Sequence, residues 1–427
     1  MKRGERIVLI GIVVGIAVAL RAAFVLVAQV PDPLRADAGE YAQYAKNLVD
    51  FGVFASLPGN PPEPDSFRSP GYPVFLASCR LLAGGDGWLS LALWLQVALG
   101  AATVGLTYRL ARTMVPFWPA ALAAVLAAAS PHLAVSSGYV LTECLTTFLL
   151  TLALERLSRA PGQAVGAHLV AGLAFGAVAL TNEALALLPI AFALPLWRSR
   201  GWRPAVALAV AAIVPLSAWN VRNRITPLAR TGGERVTASI SHGSYPGMVY
   251  ADPRYFGFPY REDPEQPQFG RDWHSLGVLL ARRVEAEPAR YLRWYLIDKP
   301  LWLWSWNTVQ GDGHLVYPAR NDPFTHHAVV GAVRWSMHWL HVPLMLLAAV
   351  AALRAGAGRG APPAATMLGR AVVFGTLLYL PVIPDPRYLQ PLRPALFVLA
   401  AYGAWRLVRW LALRRLAADA RRVPATA

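Results

Sequence analysis

Residues 7–41 read IVLIGIVVGIAVALRAAFVLVAQVPDPLRADAGEY, a long apolar run followed by a short acidic segment. The run at 7–29 is long enough to cross the ~30 Å hydrocarbon core of a membrane as a helix. Basic residues precede it, and such residues favour the cytoplasmic side of a span. Because Arg21 and a proline-rich exit interrupt the pattern of a cleavable signal peptide, we predict a retained first helix. Its far end then carries Asp37 and Glu40 to the outer face.

The composition places the chain among membrane proteins. Of its 427 residues, 56% are hydrophobic and only 15% are charged, which predicts an all-α polytopic membrane protein. The formal net charge is +16, but the basic residues are dispersed between apolar runs and form no stripe with exposed aromatic residues. We therefore expect these residues to set the topology and to contact anionic lipids, and we expect no nucleic-acid partner.

Loop charge predicts the topology, because short cytoplasmic loops carry an excess of Lys and Arg. Placing each basic loop inside gives about ten membrane helices, with a range of roughly 9–13, and both termini in the cytoplasm. We predict an integral protein of the cytoplasmic (inner) membrane. An amphipathic helix at 39–50 is predicted to lie at the membrane surface. The apolar stretch at 72–84 is too short for a full crossing and is predicted to be a re-entrant or interfacial helix. The predicted crossings are 7–29, 88–109, 116–131, 139–156, 164–181, 184–197, 204–219, 328–353, 367–383 and 394–412.

Three regions follow from this topology. We predict that residues 1–220 form an N-terminal transmembrane module whose first outer loop, residues 30–71, carries the catalytic group. Residues 221–325 are predicted to form an elaborated extracytoplasmic loop with interfacial helices, including a tryptophan-rich stretch at 291–306 that is typical of headgroup level. Residues 326–427 are predicted to form the C-terminal membrane helices and a basic cytoplasmic tail.

Charged residues that topology does not require gather on the predicted outer side. The inner loops contain mainly arginine, whereas the outer helix ends and outer loops contain both acids and bases. Polar groups that converge on one membrane face indicate a binding or catalytic site there. The residues concerned are Asp37, Glu40, Arg68, Glu143, Glu183, Arg222, Lys299 and Arg387.

Short motifs in these segments resemble one known family. The first outer loop contains DAGEY at 37–41 and RSPGYP at 68–73. In this order and placement, together with the motifs further along the chain, they resemble GT-C glycosyltransferases of the protein O-mannosyltransferase and lipid A aminoarabinose transferase type. The resemblance covers the first seven predicted membrane helices well and the C-terminal pair loosely. The further motifs are Ser130-Pro131, Leu141-Thr142-Glu143, Trp219-Asn220-Val221-Arg222-Asn223 and Pro386-Arg387-Tyr388.

The resemblance implies a GT-C type helical bundle and transfer of a sugar from a polyprenyl-phosphate-linked donor at the extracytoplasmic face. The partners that it implies are this donor, a lipid, glycan or protein acceptor, and membrane lipids. Many members of the family have adjacent Asp and Glu in the first loop, whereas here Glu40 follows Asp37 by three positions. No cofactor is assigned, and a divalent cation is left open.

Sugar transfer from a lipid phosphate needs a base for the acceptor and exclusion of water. Asp37 is the predicted base, because it lies where a membrane-embedded donor and an outer acceptor can meet; the alternative is a cap of the helix at 39–50. Glu143 is predicted to be a second acid or base, an acceptor ligand or a metal ligand, or else a helix cap. Glu40 is predicted to bind the acceptor or to orient Arg68. The alternative is that Glu40 is only a carboxylate of the first helical turn, where the helix dipole stabilises a negative charge.

The leaving phosphate needs positive charge in a dry site. Arg387 is the first candidate and Lys299 the second, with Arg68 and Arg222 in support. The alternative for each is a side chain that reaches to lipid headgroups. Tyrosines of the same outer segments complete the predicted substrate-binding set, which contains Glu40 as well. These are Tyr41, Tyr72, Tyr139 and Tyr388.

Two alternatives come from other functional classes, namely a transporter or flippase and a non-catalytic protein that binds sugar lipids. A transporter or flippase of lipid-linked substrates would need polar residues throughout the bilayer and on both faces, whereas here nearly all of them fall on the outer side. A non-catalytic protein that binds sugar lipids would tolerate the loss of Asp37 and Glu143 together. His338 and His341 are one helical turn apart, but their aromatic neighbours indicate an interfacial belt rather than a metal site.

Overall fold

A computed structural model gives the arrangement of the chain. All the secondary-structure elements in its described ranges are helices, which confirms the predicted all-α class. Gln29 and Arg320 form an isolated antiparallel β-bridge, in which the backbone N–H of each residue donates to the carbonyl of the other at 2.8 Å. The structure describes residues 2–160, 164–248, 259–309, 313–356 and 360–420, with side chains up to residue 416 in the last range.

The N-terminal part follows the predicted order of helices. The predicted surface helix at 39–50 is present as α2, and the short apolar stretch at 72–84 is present as α3. The crossing predicted from residue 139 begins at Glu143, because Tyr139 has extended backbone dihedrals. The helices are α1 Arg3–Val27, α2 Asp37–Phe51, α3 Gly71–Ala83, α4 Trp88–Ala111, α5 Phe117–Ala129, α6 Pro131–Val135, α7 Glu143–Arg159, α8 Val165–Thr181, α9 Ile190–Arg200 and α10 Trp202–Ile225.

The segment after α10 folds into short helices with a small core of its own. Phe269, Met248 and Trp294 are its most deeply buried members, and Tyr245 and Leu276 pack with them. A π-helical turn at Trp294–Asp298 joins two of these helices. The helices are α11 Gly232–Gly243, α12 Gln266–Phe269, α13 Trp273–Ala286, α14 Pro288–Arg293 and α15 Lys299–Leu303.

The C-terminal part consists of three long helices that pack on one another. A 3-10 segment at Pro386–Leu392 leads directly into the last of them. The basic tail that we predict beyond residue 420, with Arg421 and Arg422, lies outside the described residues. The helices are α16 Pro323–His326, α17 Ala328–Gly356, α18 Pro363–Tyr379 and α19 Arg393–Ala420.

The protein is an integral, multi-pass membrane protein. Among the described residues, five helices are long and apolar enough to cross a bilayer, and α5 with the α6 region adds a sixth if the pair counts as one span bent by 56°. The count of about ten crossings stays a prediction, because α7, α8, α9 and α18 have 17, 17, 11 and 17 residues, where a full crossing takes about 20. The five are Arg3–Val27, Gly85–Ala111, Trp202–Ile225, Ala328–Gly356 and Pro386–Leu416.

Small residues let α8 and α10 approach closely. Gly172 and Gly176 form a GxxxG pattern on α8, which is typical of helices in membranes that pack backbone to backbone. A Cβ atom on Gly172 would lie 2.5 Å from the Leu208 carbonyl oxygen, and one on Gly176 would lie 2.7 Å from Pro215 Cγ. This contact sets the position of the C-terminal end of α8, which borders the site described below.

Arg21 of α1 is buried, at 1% exposure, and it is held by backbone oxygens. Its Nη1 donates to the Ala17 carbonyl at 3.0 Å and its Nη2 to the Ala127 carbonyl at 3.5 Å. Gly100 of α4 makes room for it, since a Cβ atom there would lie 2.4 Å from Arg21 Nε. These carbonyls compensate part of the cost of a charge at this depth.

Candidate functional site

Asp37 is the first residue of α2, and its carboxylate lies between two guanidinium groups. Arg68 Nη2 donates to Asp37 Oδ1 at 2.7 Å, and Arg387 Nη2 donates to Oδ2 at 2.6 Å. The alternative role as a cap of α2 does not fit this geometry, because the helix begins at Asp37 itself and the N-cap position is Ala36. Ala36 has a φ of 49°, a backbone conformation that favours glycine.

The two arginines keep Asp37 ionised. Burial by itself would raise the pKa of this carboxyl group, but the positive charges of Arg387 and then Arg68, with their hydrogen bonds, outweigh burial. The net effect holds the pKa of Asp37 well below its ordinary value. Asp37 is therefore a carboxylate at neutral pH.

The first outer loop is built so that Arg68 reaches α2. Its Nε donates to Glu40 Oε2 at 2.6 Å, so one guanidinium bridges both acids of the first turn of α2. Asp65, three positions earlier, organises the loop by accepting hydrogen bonds from Ser56 N at 2.7 Å and from the Tyr44 hydroxyl. Glu40 thus orients Arg68, as one of its predicted roles requires.

Arg387 lies at the start of the 3-10 segment that precedes α19, and three carboxylates surround it. Besides Asp37, Glu143 Oε1 lies 3.7 Å and Asp385 Oδ2 lies 3.2 Å from its Nε. Arg387 and Glu143 are both buried, at 7% exposure each. Within the described residues, Arg387 Nε and Nη1 and Glu143 Oε2 have no hydrogen-bond partner. Buried polar atoms of this kind are available to a ligand.

A cavity of about 450 Å³ opens beside these groups, a volume in the range of sites for small molecules. Its wall contains both polar and apolar side chains. The polar residues include Asp37, Tyr41, Arg68, Ser69, Thr142, Glu143, Thr181, Asn182, Glu183, Arg235, Ser239, Tyr379, Arg387 and Tyr388. The apolar residues include Leu141, Leu187, Val236, Ile240, Leu377, Leu378 and Val382.

Several residues of this wall are not predicted from the sequence, and two of them, Arg235 and Ser69, contact Glu183. Arg235 of α11 forms an ion pair with Glu183 and donates from Nε to the Phe67 carbonyl at 2.9 Å. Ser69 donates its hydroxyl to the same Glu183 carboxylate. Nothing in the sequence distinguishes Arg235 from the other arginines of 221–325, so only the path of the loop could identify it.

Lys299 does not line the cavity but lies behind its wall. Its Nζ donates to the carbonyls of Leu380 at 2.5 Å, Pro381 at 3.3 Å and Val382 at 3.0 Å. Its side chain is fully buried, and burial lowers the pKa of Lys299 to about 6. In this geometry the predicted phosphate contact is not made, because the amine is occupied by the turn after α18.

Three other predicted binding residues also lie outside the cavity lining. Arg222 donates from Nη1 to the Asp65 carbonyl at 2.8 Å and so ties α10 to the first loop. The Tyr72 hydroxyl donates to Gln96 Oε1 at 2.9 Å, and the Tyr139 hydroxyl donates to the Tyr317 carbonyl at 2.7 Å. Tyr72 contacts the lining indirectly, since its ring packs edge-on against Tyr41 with centroids 5.2 Å apart.

A metal ion does not fit the acidic groups as they are arranged. Both oxygens of Asp37 accept hydrogen bonds from guanidinium groups, and the nearest cation to Glu143 and Asp385 is Arg387. A divalent cation at these carboxylates would have to displace an arginine. Across the described ranges, no three side chains among His, Cys, Asp and Glu are grouped as metal ligands would be.

Comparisons with known proteins identify the fold. No protein-family profile matches the chain, and no curated protein sequence matches it. ArnT from Cupriavidus metallidurans, bound to undecaprenyl phosphate, superposes with a TM-score of 0.51 and 14% identity, over 94% of this chain and 60% of ArnT. The archaeal oligosaccharyltransferase AglB from Archaeoglobus fulgidus, in complex with an inhibitory peptide and a dolichol-phosphate, superposes with a TM-score of 0.51 and 13% identity. That superposition covers 99% of this chain and 52% of AglB.

These similarities concern the arrangement of the helices. They confirm the GT-C type bundle that the sequence motifs predict. The chain spans about half to three-fifths of the length of the two solved structures, at 52% and 60%. A shared fold does not by itself imply a shared function, which depends on the residues of the site.

Proposed function

We propose that the chain is a glycosyltransferase that moves a sugar from a polyprenyl-phosphate-linked donor to an acceptor at the extracytoplasmic face of the membrane. The observation that carries the proposal is the Asp37 carboxylate held by Arg68 and Arg387 at the wall of the cavity. The fold supports it, since the structures with the same fold are of a protein bound to undecaprenyl phosphate and of an oligosaccharyltransferase with a dolichol-phosphate.

The polar and the apolar side chains of the cavity wall suit the two parts of such a donor. Apolar side chains of α18 and α11, among them Leu377 and Ile240, would contact the first isoprene units. The phosphate would bind at Arg387, whose Nη1 has no hydrogen-bond acceptor among the described residues. Arg68 and Arg235 add positive charge to the same cavity. Arginine suits this role because its donors match phosphate oxygens in pairs.

Asp37 would act as the general base. A carboxylate has more lone pairs than its two bonds to arginine use, so it can accept a further hydrogen bond from an acceptor hydroxyl or amine. The acceptor atom attacks the anomeric carbon, and its proton passes to Asp37. The bond between that carbon and the phosphate oxygen breaks, and its electron pair leaves on the phosphate. A single attack opposite to the leaving group inverts the anomeric centre.

Donor binding would raise the basicity of Asp37. Paired with two guanidinium groups, Asp37 has a lowered pKa and is a poor base. A phosphate at Arg387 would share that arginine's charge and thereby weaken its hold on Asp37. The base would then become effective only when the donor is present.

The remaining residues have supporting parts in this proposal. Glu143 Oε2, buried and unpaired, would accept a hydrogen bond from the acceptor or act as the second acid or base. Tyr41 and Tyr388 would contact substrate from the cavity wall. Lys299 and Arg222 would position wall segments rather than bind the phosphate, because their donors are used by backbone carbonyls.

Lipid analysis of the purified protein tests this function. Wild type, Asp37→Asn and Asp50→Asn would be incubated with polyprenyl-phosphate sugars extracted from the host membrane together with its lipid acceptors. Mass spectrometry would follow the conversion of donor into free polyprenyl phosphate. Asp50 is the control, because it lies on the same helix and pairs only with Lys46 on the surface. We expect conversion by wild type and Asp50→Asn, and bound but unconverted donor in Asp37→Asn.

Two results would contradict the proposal. Conversion by Asp37→Asn at the wild-type rate would remove Asp37 from the base role. Movement of intact labelled donor across liposomes, without any glycosylated product, would instead favour the flippase.

A further inference from the structure

A second cavity, of about 380 Å³, lies at the other ends of the helices that border the Asp37 cavity. It is formed by the end of α7, the start of α8, the end of α9 and the start of α18. On α8, His168 lines the second cavity and Thr181 the first, and these positions are about 20 Å apart along the helix. The same separation holds on α18 between Thr366 and Tyr379. The second cavity is therefore a separate site, at the end predicted to face the cytoplasm.

His168 is the unusual residue of this cavity. Its side chain is only 3% exposed, and its ring lies beside the backbone of Ala164, one turn earlier in the chain. Neither ring nitrogen makes a hydrogen bond of good geometry with the described residues. Because His168 lines the cavity, a bound ligand can donate a hydrogen bond to the ring or accept one from it.

The mouth of the cavity carries two free positive charges. Arg200, from the end of α9, and Arg370, from the second turn of α18, are exposed and line the cavity. Neither has an ion pair or a hydrogen bond to the described residues. No acidic side chain is part of the lining. An anion would therefore meet two guanidinium groups with no competing carboxylate of the site.

The interior of the cavity is apolar. The lining includes the apolar residues Leu157, Phe192, Leu196 and Met367, of which Leu157, Phe192 and Met367 are buried. A hydrated free phosphate gains nothing from such walls, whereas a lipid gains by burying its acyl chain against them. The combination of an arginine pair at the mouth and an apolar interior matches a lipid with an anionic headgroup.

We propose that this cavity binds the phosphate of an anionic phospholipid from the inner leaflet. Arg200 and Arg370 contact the phosphate, His168 contacts a headgroup or ester oxygen, and an acyl chain packs on Phe192 and Met367. The site does not depend on the proposed transfer reaction, and its occupancy can be measured without an activity assay. A lipid bound between α8, α9 and α18 would fix the spacing of α8 and α18, which also border the Asp37 cavity.

Native mass spectrometry of the full chain tests the site. The protein would be released from nanodiscs that contain equal amounts of phosphatidylglycerol and phosphatidylcholine, and the retained lipid would be counted. We expect one retained phosphatidylglycerol in wild type. We expect Arg200→Gln with Arg370→Gln to lower its retention about tenfold, since two charge-assisted contacts are lost. His168→Ala is expected to lower retention as well.

The matched control carries Arg198→Gln and Arg354→Gln. Both arginines are exposed at the same end of the molecule, but neither lines the cavity. Equal loss of phosphatidylglycerol in this control would overturn the proposal in favour of general surface charge. Unchanged retention in His168→Ala would also overturn it, because the lipid would then lie outside the cavity. Equal retention of the two lipids, or displacement by millimolar inorganic phosphate, would rule out an anionic-lipid site.

Melting temperatures separate binding from folding. All variants would be measured in detergent without added lipid, where substitutions at exposed arginines are expected to change stability little. Adding phosphatidylglycerol should raise the melting temperature of wild type and of the control. An identical rise in the Arg200→Gln, Arg370→Gln variant would overturn the proposal even if that variant retained lipid poorly.

Discussion

Arg387 Nη2 lies 2.6 Å from Asp37 Oδ2, although 350 positions separate the two residues in the chain. The pair joins the first outer loop to the segment before α19. Each of the two opposite charges offsets part of the desolvation of the other. The contact therefore links the two ends of the chain at the one place where the chemistry is proposed to occur.

Removing both members of this pair should destabilise the fold by less than the sum of the two single changes. Arg387→Gln leaves Asp37 and Glu143 without their main counter-charge, and we expect a loss of about 3–5 kcal/mol. Asp37→Asn combined with Arg387→Gln should cost less than the sum of the two single changes, by at least about 1 kcal/mol. Thermal or denaturant unfolding of the four proteins in one detergent measures this coupling. Strict additivity would mean that the contact contributes nothing.

Glu143→Gln should alter the acceptor side of the reaction. If Glu143 Oε2 accepts a hydrogen bond from the acceptor, the amide will raise KM for the acceptor and leave donor binding unchanged. If Glu143 acts as a second acid or base, kcat will fall by about 10²–10⁴-fold with little change in KM. Steady-state rates at several acceptor concentrations separate the two roles. Wild-type values of both constants would exclude Glu143 from the site.

Lys299 should make stability depend on pH. Its pKa is about 6 in the folded protein and about 10.4 in an unfolded chain. Between these values the unfolded state binds the extra proton, so stability should rise as pH increases from about 6 to about 10. Unfolding of wild type and Lys299→Met across that range measures the difference. Lys299→Met should lose this dependence, and it should cost about 1–3 kcal/mol because three carbonyls lose their donor.

Gly172 should not tolerate a side chain. A Cβ atom there meets the Leu208 carbonyl oxygen at 2.5 Å, which is backbone and cannot rotate away. We expect Gly172→Ala to lower stability by about 1–3 kcal/mol. Gly166, on the same helix, has nothing within 4 Å of its Cβ position, and Gly166→Ala should be neutral or stabilising. Equal melting temperatures for the two variants would contradict the close packing of α8 on α10.

Ala36 should accept glycine. Its φ of 49° is a conformation that glycine adopts without a steric penalty, although glycine also gives the unfolded chain more freedom. We expect Ala36→Gly to be neutral or to stabilise the protein by up to about 1 kcal/mol. Ala36→Val, with a branched side chain at the same dihedrals, should destabilise it and disturb the position of Asp37. A transfer assay run beside the unfolding measurement would detect that disturbance.

The fold could be predicted largely because helices that cross a membrane need long apolar runs, which are visible in the sequence. Long apolar runs predicted α1, α4, α10 and α17, and the period of polar residues predicted α2. Shorter elements were harder, because a helix of 11 residues such as α9 can be a partial crossing or a re-entrant segment with the same composition. The number of crossings cannot be derived from these lengths alone.

The sequence predicts that Asp37, Arg68, Glu143 and Arg387 lie on the same side of the membrane. This prediction rests on one rule, that short cytoplasmic loops carry an excess of Lys and Arg. That rule cannot distinguish residues within the face. Lys299 and Arg235 are both basic residues of the same outer region. Lys299 lies behind the cavity wall and donates to a backbone carbonyl, whereas Arg235 lines the cavity. Which one does so depends on how α11 to α15 pack, and local sequence does not encode that packing.

Asp37 also has a consequence for turnover. In the resting protein its carboxylate occupies Arg387 as an internal competitor of the phosphate. Once transfer has occurred and the spent lipid phosphate carries more negative charge than the donor, a bare arginine pair would trap this product. The returning carboxylate offers the arginine an alternative ion pair and so favours departure of the product. The proposed general base would thus also prepare Arg387 for the next donor.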